Sequence, residues 1–542
     1  MILGVLFEFD NTLYYYDLIN KIALKKLFEE LSLTNNLKVL EIEDLYKKIN
    51  NNIKNSNNSN NKFNKIIYIK KLLEELKISF IFLDKYLEIY QNEFNNHFEL
   101  YDGVLELFSY LKLKNIKIGI CSNNIFIQQY NKLKSSGLLS YIDYIECSDE
   151  CGEEKPHLNI FFNIQNKLGI PFENISFIGD NYNHDIIPSL QLKMLAFHFI
   201  KDSKLLLKNN YIEFGNFNDL NIYFSKYFKN IDELIFLSKY FGQSVLNIQG
   251  PGGNISVKMD DMIFIKSSGA VLGNLSYNEG YCIANNKKVI ELLQSGKELE
   301  LKNSKIFGYK IPSMETFFHA FMKKYTVHVH FTLSNILFCS NKEFTLDNFP
   351  YNYEIIKYIP PGLLLANEVY KKYSENCDIY FLENHGIIIT SYELNNIIDI
   401  YENIYKYFNN LLDNRFNLEL NTFYINKEYY FRKNKTLMIR NIDYPYQILE
   451  KIKYCLPDLA IFIEKIGMFN NLEELYENMD NFNIIILNKN VYLIAENLNK
   501  LYYLIELIDK YKVLSEYSYD NLNRIDDVKY LQNMEQEKFR KL

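Results

Sequence analysis

Tryptophan is absent from the 542-residue sequence, and histidine occurs only eight times. Neither scarcity limits a core, because 48% of the residues are hydrophobic and 16% aromatic, which excludes wholesale disorder. Lys and Asp/Glu are interleaved to a net charge of -7. No basic block offers a footprint for a phosphate backbone, so nucleic acid is not expected as a partner. Nor does any stretch of about 20 unbroken apolar residues predict a membrane span. The seven cysteines (Cys121, Cys147, Cys151, Cys282, Cys339, Cys377, Cys455) are scattered, odd in number and include no CxxC pair. That pattern predicts free thiols and a cytoplasmic setting. The opening "MILGVLFEFD" lacks a basic region, and Glu8 and Asp10 break its apolar run, so it does not read as a signal peptide.

What is present is enough chain for two or three separately cored units. A short apolar run before Glu8 predicts a buried parallel strand leading into a functional loop. Helical patterns dominate from there to about residue 112, interrupted by the Asn-rich tract 50–64, which is expected to be an exposed loop or disordered insert. From "KIGICSNN" to "ISFIGDNYNHD" short apolar runs alternate with amphipathic segments, the pattern of βα units. A second unit is expected from about 228, opening on the helix "IDELIFLSKYFG" and passing through "GPGGNISVK", "MIFIKSSG", "YTVHVHF" and "DIYFLENHGIIIT". After about 425 comes a hairpin-like "FNIIILNKNVYLIAEN", turning at Asn488, Lys489 and Asn490, and then a helical tail.

Four motifs in the first unit suit phosphoryl chemistry: "FEFDNTL", "ICSNN", "EEKPHLNIF" and "IGDNYNHD". In a doubly wound sheet the crevice beyond the carboxyl ends of the strands would collect Glu8, Asp10, Ser122, Lys155, Asp180 and Asp185. Carboxylates there suit Mg²⁺, with Glu8, Asp10 and Asp180 as its holders, while Ser122 and Lys155 suit phosphate oxygens. These motifs, in this order, resemble the haloacid dehalogenase-like superfamily over roughly residues 1–205, with a helical cap at about 14–100. The resemblance implies that the first acid of a DxDxT motif is a nucleophile and the second a general acid or base. Asp10 matches the second. Glu8 stands at the first, and its extra methylene shifts the attacking oxygen by more than about an ångström. A phosphatase and a fold-retaining pseudo-phosphatase are therefore both expected outcomes.

Four of the histidines (His319, His328, His330, His385) fall within one stretch of the second unit. The flanks of "YTVHVHF" favour a strand, on which a spacing of two puts His328 and His330 on one face. His385 lies between apolar runs, with Gly386 expected to supply the turn that aims it. Three imidazoles and a carboxylate suit Zn²⁺, and Glu315 in "PSMETFFH" is the candidate fourth ligand. The Gly-rich loop with Asn254, and the turn of Ser267, Ser268 and Gly269, are candidate anion nests.

The run "GGNIS", "KSSG", "PSMETFFH", "VHVH" and "ENHG" resembles the class II aldolase/adducin family, including L-fuculose-phosphate and rhamnulose-phosphate aldolases. That resemblance implies zinc ligation by His328, His330 and His385, with Glu315 as resting ligand and catalytic acid/base. It implies phosphate binding by Gly253, Asn254, Ser268, Gly269 and Ser313. Met314 replaces the second serine of the usual pair, so help is expected from Lys258 or Lys266, and His319 is expected to orient Glu315. A phosphorylated ketose is the implied substrate and a homo-oligomer, tetrameric as is common in the family, the implied assembly. Sugar-phosphate epimerases, a methylthioribulose-phosphate dehydratase and the adducin scaffold are the family's other outcomes. The expected fold is α/β: a Rossmann-like haloacid dehalogenase-like domain (1–227), a class II aldolase αβα domain (228–425) and a small α/β extension (426–542).

Overall fold

The computed structural model describes residues 1–55, 62–244, 246–308, 310–338 and 346–411, together with five C-terminal strands between 428 and 495 and residues 504–508. It divides into two compact units, Met1–Lys226 and Tyr227–Leu542.

The first unit is built on strands β1 (Gly4–Phe7), β2 (Lys117–Ser122), β3 (Tyr144–Cys147), β4 (Ile175–Gly179), β5 (Leu195–Phe199), β6 (Leu206–Leu207) and β7 (Ile212–Phe214). Their spatial order is β3-β2-β1-β4-β5-β7-β6, parallel except for the β6–β7 pair. Both faces are covered, so the central strands are largely apolar; all four residues of β1 are buried. Leu6, Phe161, Ile164 and Phe177 form one core cluster. The order puts the carboxyl ends of β1, β2 and β4 side by side, where the chain leaves the sheet at Glu8, Ser122 and Asp180.

Between β1 and β2 lie the cap helices α1 (Tyr16–Asn35), α2 (Val39–Asn55), α3 (Lys65–Glu75) and α4 (Leu83–Asn96). Helix α2 corrects the expectation of an unstructured tract from residue 50. Ile42, Tyr46, Ile49 and Ile53 are all buried on it, a helical period that continues beneath the asparagines. Residues 56–61 lie outside the described residues. The helix expected to open the second unit is the end of one longer helix, Phe217–Gly242.

The second unit contains β8 (Asn254–Met259), β9 (Met262–Lys266), β10 (Tyr281–Asn285), β11 (Lys305–Phe307), β12 (Tyr325–Val329), β13 (Tyr353–Ile356), β14 (Ile379–Leu382) and β15 (Gly386–Ser391). They form one sheet in the order β11-β10-β9-β8-β12-β15-β14-β13, antiparallel except for β13–β14. Phe317, Phe318, Leu365 and Ile388 belong to the core on one face. A five-stranded sheet follows, in which Ile484–Leu487 and Asn490–Ala495 pair antiparallel as the expected hairpin. Asn490 opens the second of these strands, while Asn488 and Lys489 of the expected turn, and the tail beyond 508, lie outside the described residues. No helix among the described residues is long and apolar enough to cross a membrane.

Candidate functional site

In the second unit, β12 sits between β8 and β15 and carries His328, with His330 just past its end. Glu315 immediately precedes the short helix Thr316–Phe321 without capping it through its side chain, and His385 lies in the turn between β14 and β15. All four side chains are buried, and one ligand atom from each lies within 4.8 Å of the others. The imidazole rings of His328, His330 and His385 stand 4.8 to 5.1 Å apart, centroid to centroid. Glu315 Oε1 is 3.3 Å from His328 Nε2 and 3.7 Å from His385 Nε2. Burial works against ionisation of Glu315, but His328 foremost, then His385 and His330, outweigh it and hold the carboxyl well below the usual carboxylate range.

Backbone contacts aim these groups. His328 Nδ1 lies 3.0 Å from the Ile387 carbonyl, which assigns the proton to Nδ1 and turns the lone pair of Nε2 toward Glu315. Asn335 donates to the His385 carbonyl at 3.3 Å. The turn is made differently from expectation: Asn384, at φ 58°, takes the left-handed conformation. Gly386 is required for closeness instead, since a Cβ there would lie 2.1 Å from the Val329 carbonyl oxygen. Gly252 has the same use, because its Cβ would meet His330 Nδ1 at 2.7 Å. Imidazole nitrogens with a buried carboxylate suit zinc by donor chemistry, and the converging cluster fits that ion.

The expected phosphate residues gather beside this cluster. Asn254 pairs with His328 across β8 and β12, and both polar atoms of its buried amide lack a hydrogen-bond partner among the described residues. A Cβ on Gly253 would meet the His328 carbonyl oxygen at 3.0 Å. Ser268 N donates to the Ile311 carbonyl, and Ser267 bridges to Pro312, which brings Ser268 and Gly269 next to the segment holding Ser313. Neither lysine is free to help grip phosphate. Lys266 Nζ donates to the Pro251 and Ala270 carbonyls at 2.8 and 2.9 Å, tying the Gly-rich loop to the SSG turn. Lys258 Nζ donates to the Ala320 and Met322 carbonyls. His319 is also corrected: its Nδ1 is 2.7 Å from Ser256 Oγ rather than bonded to Glu315, and burial holds its imidazole well below the usual pKa. Glu506, which carried no sequence signal, accepts from Gly250 N at 2.7 Å.

In the first unit the crevice collects its residues as expected, but the chain itself fills the anion cradle. Glu8 Oε1 accepts from Phe9 N at 2.8 Å, Asp10 N at 3.3 Å and Ser122 Oγ at 2.6 Å. Glu8 Oε2 accepts from Lys155 Nζ, whose other donations go to Asp185 Oδ1 at 2.6 Å and the Cys121 carbonyl at 2.9 Å. Ser122 and Lys155, expected on phosphate, therefore hold the carboxylate that replaced the nucleophile. Burial works against the Lys155 charge, yet Asp185 and Glu8 keep its ammonium above the ordinary lysine value. Asp10 accepts from Asn124, Gln129 and Lys132, the last at 2.7 and 2.9 Å, and from Tyr14. Gln129 and Lys132 share one face of helix α5 (Phe126–Ser135), a spacing of three that would have flagged them in the sequence.

Magnesium does not fit this arrangement. Glu8 and Asp10 are saturated by hydrogen bonds, Asp180 Oδ1 accepts from Thr12 Oγ1 at 3.0 Å, and the three do not converge as the Glu315 group does. Burial, then the Asp185 and Glu8 carboxylates, push Asp180 up to about 7. The unfolded value is lower, about 3.9, so Asp180 favours the fold below that pH, and this contribution is lost as pH rises through 7. Asp180→Asn is expected to gain on the wild type by about 1–2 kcal/mol between about pH 5 and pH 8, partial exposure screening the rest. Urea unfolding at the two pH values measures this; a constant difference would refute it.

Residues 5–197 match the haloacid dehalogenase-like hydrolase family, and residues 233–409 match the class II aldolase and adducin N-terminal domain, so the chain joins a domain of each kind. Among curated relatives, the glyceraldehyde 3-phosphate phosphatase of Methanocaldococcus jannaschii is 26% identical over 206 residues, covering 37% of this chain and 86% of that protein. Solved structures with likeness include a haloacid dehalogenase-like phosphatase from Thermococcus onnurineus (20% identity, 41% of this chain and 98% of that one, TM-score 0.34). Another is the N-terminal class II aldolase domain of a Thermoplasma acidophilum protein (26% identity, 34% of this chain and 93% of that one, TM-score 0.31).

Proposed function

We propose that the second unit is a zinc-dependent class II sugar-phosphate aldolase, and that the first is a haloacid dehalogenase-like domain that does not turn over phosphomonoesters. The observation that carries the first half is the buried convergence of Glu315, His328, His330 and His385. The three histidines would hold the ion, with Glu315 as the exchangeable fourth ligand. When bound, zinc supplies Lewis-acid polarisation of a substrate carbonyl. Glu315 takes the proton of the C4 hydroxyl of a phosphorylated ketose as the C3–C4 bond breaks, and returns a proton to C3. Dihydroxyacetone phosphate and an aldehyde leave, and the reverse condensation runs through the same groups. Asn254, with its unbonded buried amide, and the nearby Gly253, Ser268, Gly269 and Ser313 receive the phosphate.

The second half rests on Glu8. Its carboxylate takes the four donors that would otherwise cradle a phosphoryl group, so the nucleophile's place and the phosphate's place are filled by one side chain. Free cysteines at 121, 147, 151, 282 and 377 support a reducing, cytoplasmic setting. A homo-oligomer, tetrameric as in the family, completes the reading.

The test is a screen of phosphorylated ketoses, fuculose and rhamnulose 1-phosphates among them, on the intact chain with zinc, following dihydroxyacetone phosphate and free phosphate together. Dihydroxyacetone phosphate is expected, and Glu315→Gln is expected to slow its release by about 10²–10⁴. An epimer or a dehydrated ketose with no dihydroxyacetone phosphate would instead assign the site to the family's other reactions. Loss of zinc binding in a folded protein would favour the scaffold.

A further inference from the structure

Helices α1, α3, α4 and α5 of the first unit enclose a cleft of about 340 Å³. Tyr16, Tyr90 and Phe94 contribute its aromatic wall, and Lys65 and Lys132 its cations. The two lysines differ. Lys132 is spent on Asp10, whose two oxygens it contacts at 2.7 and 2.9 Å. Lys65 has no carboxylate within ion-pair distance among the described residues; its ammonium lies 5.4 Å from the Tyr68 ring centroid and 5.8 Å from that of Tyr90. Burial, then Lys132 and Lys54, push Lys65 down to about 8 against the weaker pull of Asp10 and Asp17. An ammonium half withdrawn from water with no carboxylate at ion-pair distance among the described residues is costly, and an anion entering the cleft would relieve that cost. Glu88 also lines the cleft, but it is exposed at the rim and solvated.

We infer that this cleft is a binding site for a small organic anion, with Lys65 of the cap pairing its carboxylate or phosphate and the aromatic wall taking its body. The volume suits such a ligand, which needs an apolar enclosure with a few polar anchors. The ligand is held and not hydrolysed. A phosphoryl group seeking the core cradle meets the Glu8 carboxylate already bonded to Ser122 and Lys155, so the charged end is directed to the cap. This inference rests on the reading of the first unit as non-hydrolytic and is independent of the aldolase reading, since every residue it uses lies in the first unit.

Calorimetric titration of the intact chain tests it with four probes: phenyl phosphate, benzoate, benzyl alcohol and inorganic phosphate. Phenyl phosphate and benzoate are expected to bind saturably at millimolar concentration or below, benzyl alcohol and inorganic phosphate at least about tenfold more weakly. Unequal affinities of the first two distinguish a phosphate from a carboxylate ligand. Lys65→Gln is expected to weaken both anions about tenfold or more, and Lys65→Arg to restore most of the binding. Unchanged thermal unfolding and zinc content of these variants establish that the chain remains folded. Three results would each overturn the inference: no saturable binding of either aromatic anion, equal binding by Lys65→Gln, or release of phosphate from phenyl phosphate by the wild type.

Discussion

His328→Ala is expected to strip zinc from the second unit and abolish dihydroxyacetone phosphate release. His328 lies nearer to Glu315 than His385 does, its ring packs against those of both His330 and His385, and its Nε2 is aimed by the Ile387 carbonyl. Loss of an outer contact to a metal ligand weakens affinity by about 10–100-fold, and loss of the ligand itself is expected to exceed about 100-fold. Dialysis against a chelator followed by elemental analysis measures this, with the wild type in parallel. His319→Ala, at a similar depth but bonded to Ser256, is the control: it is expected to keep most of its zinc. Full zinc occupancy and unchanged cleavage in His328→Ala would refute the metal assignment.

Lys155→Met is expected to destabilise the first unit by about 3–5 kcal/mol. The ammonium is 1% exposed and lies between Glu8 and Asp185, themselves buried, so its removal leaves two carboxylates facing each other without a counter-charge. Methionine keeps the length of the side chain, which limits the packing loss. Adding Glu8→Gln and Asp185→Asn to the same protein is expected to return a large part of the stability, because the buried charges then disappear with their partner. Urea unfolding of the single and triple variants checks both steps. A single variant as stable as the wild type would mean that the charges neutralise by taking up protons.

Much of the second unit was legible in sequence because its chemistry is carried by local patterns. An alternating strand fixes His328 and His330 on one face, and "ENHG" announces a turn whatever its detail. The detail was not legible: Asn384 and not Gly386 takes the left-handed conformation, since what constrains Gly386 is the backbone of β12 packed against it. The Asn-rich tract misled for the opposite reason, as its polar composition hid the buried face formed by Ile49 and Ile53. The lysines expected on phosphate were misplaced because a side chain's partner is chosen by what the fold brings near, and carbonyls of neighbouring loops reached Lys258 and Lys266 first. Lys65 could not be singled out at all, since its interest lies in having no carboxylate at ion-pair distance among the described residues, which only the fold decides.

By itself the sequence determined the kinds of group available: an acid one methylene too long at position 8, a Ser at a strand end, a Lys in a loop beyond another strand, and a Glu with three histidines in β-type surroundings. Tertiary structure alone decided how those groups are spent. The order of β1, β2 and β4 brings Ser122 and Lys155, 114 and 147 residues from Glu8, onto its two oxygens. A chain of carbon atoms longer by one link reaches into the cradle that lies beyond its end, and only the folded distances show that it does.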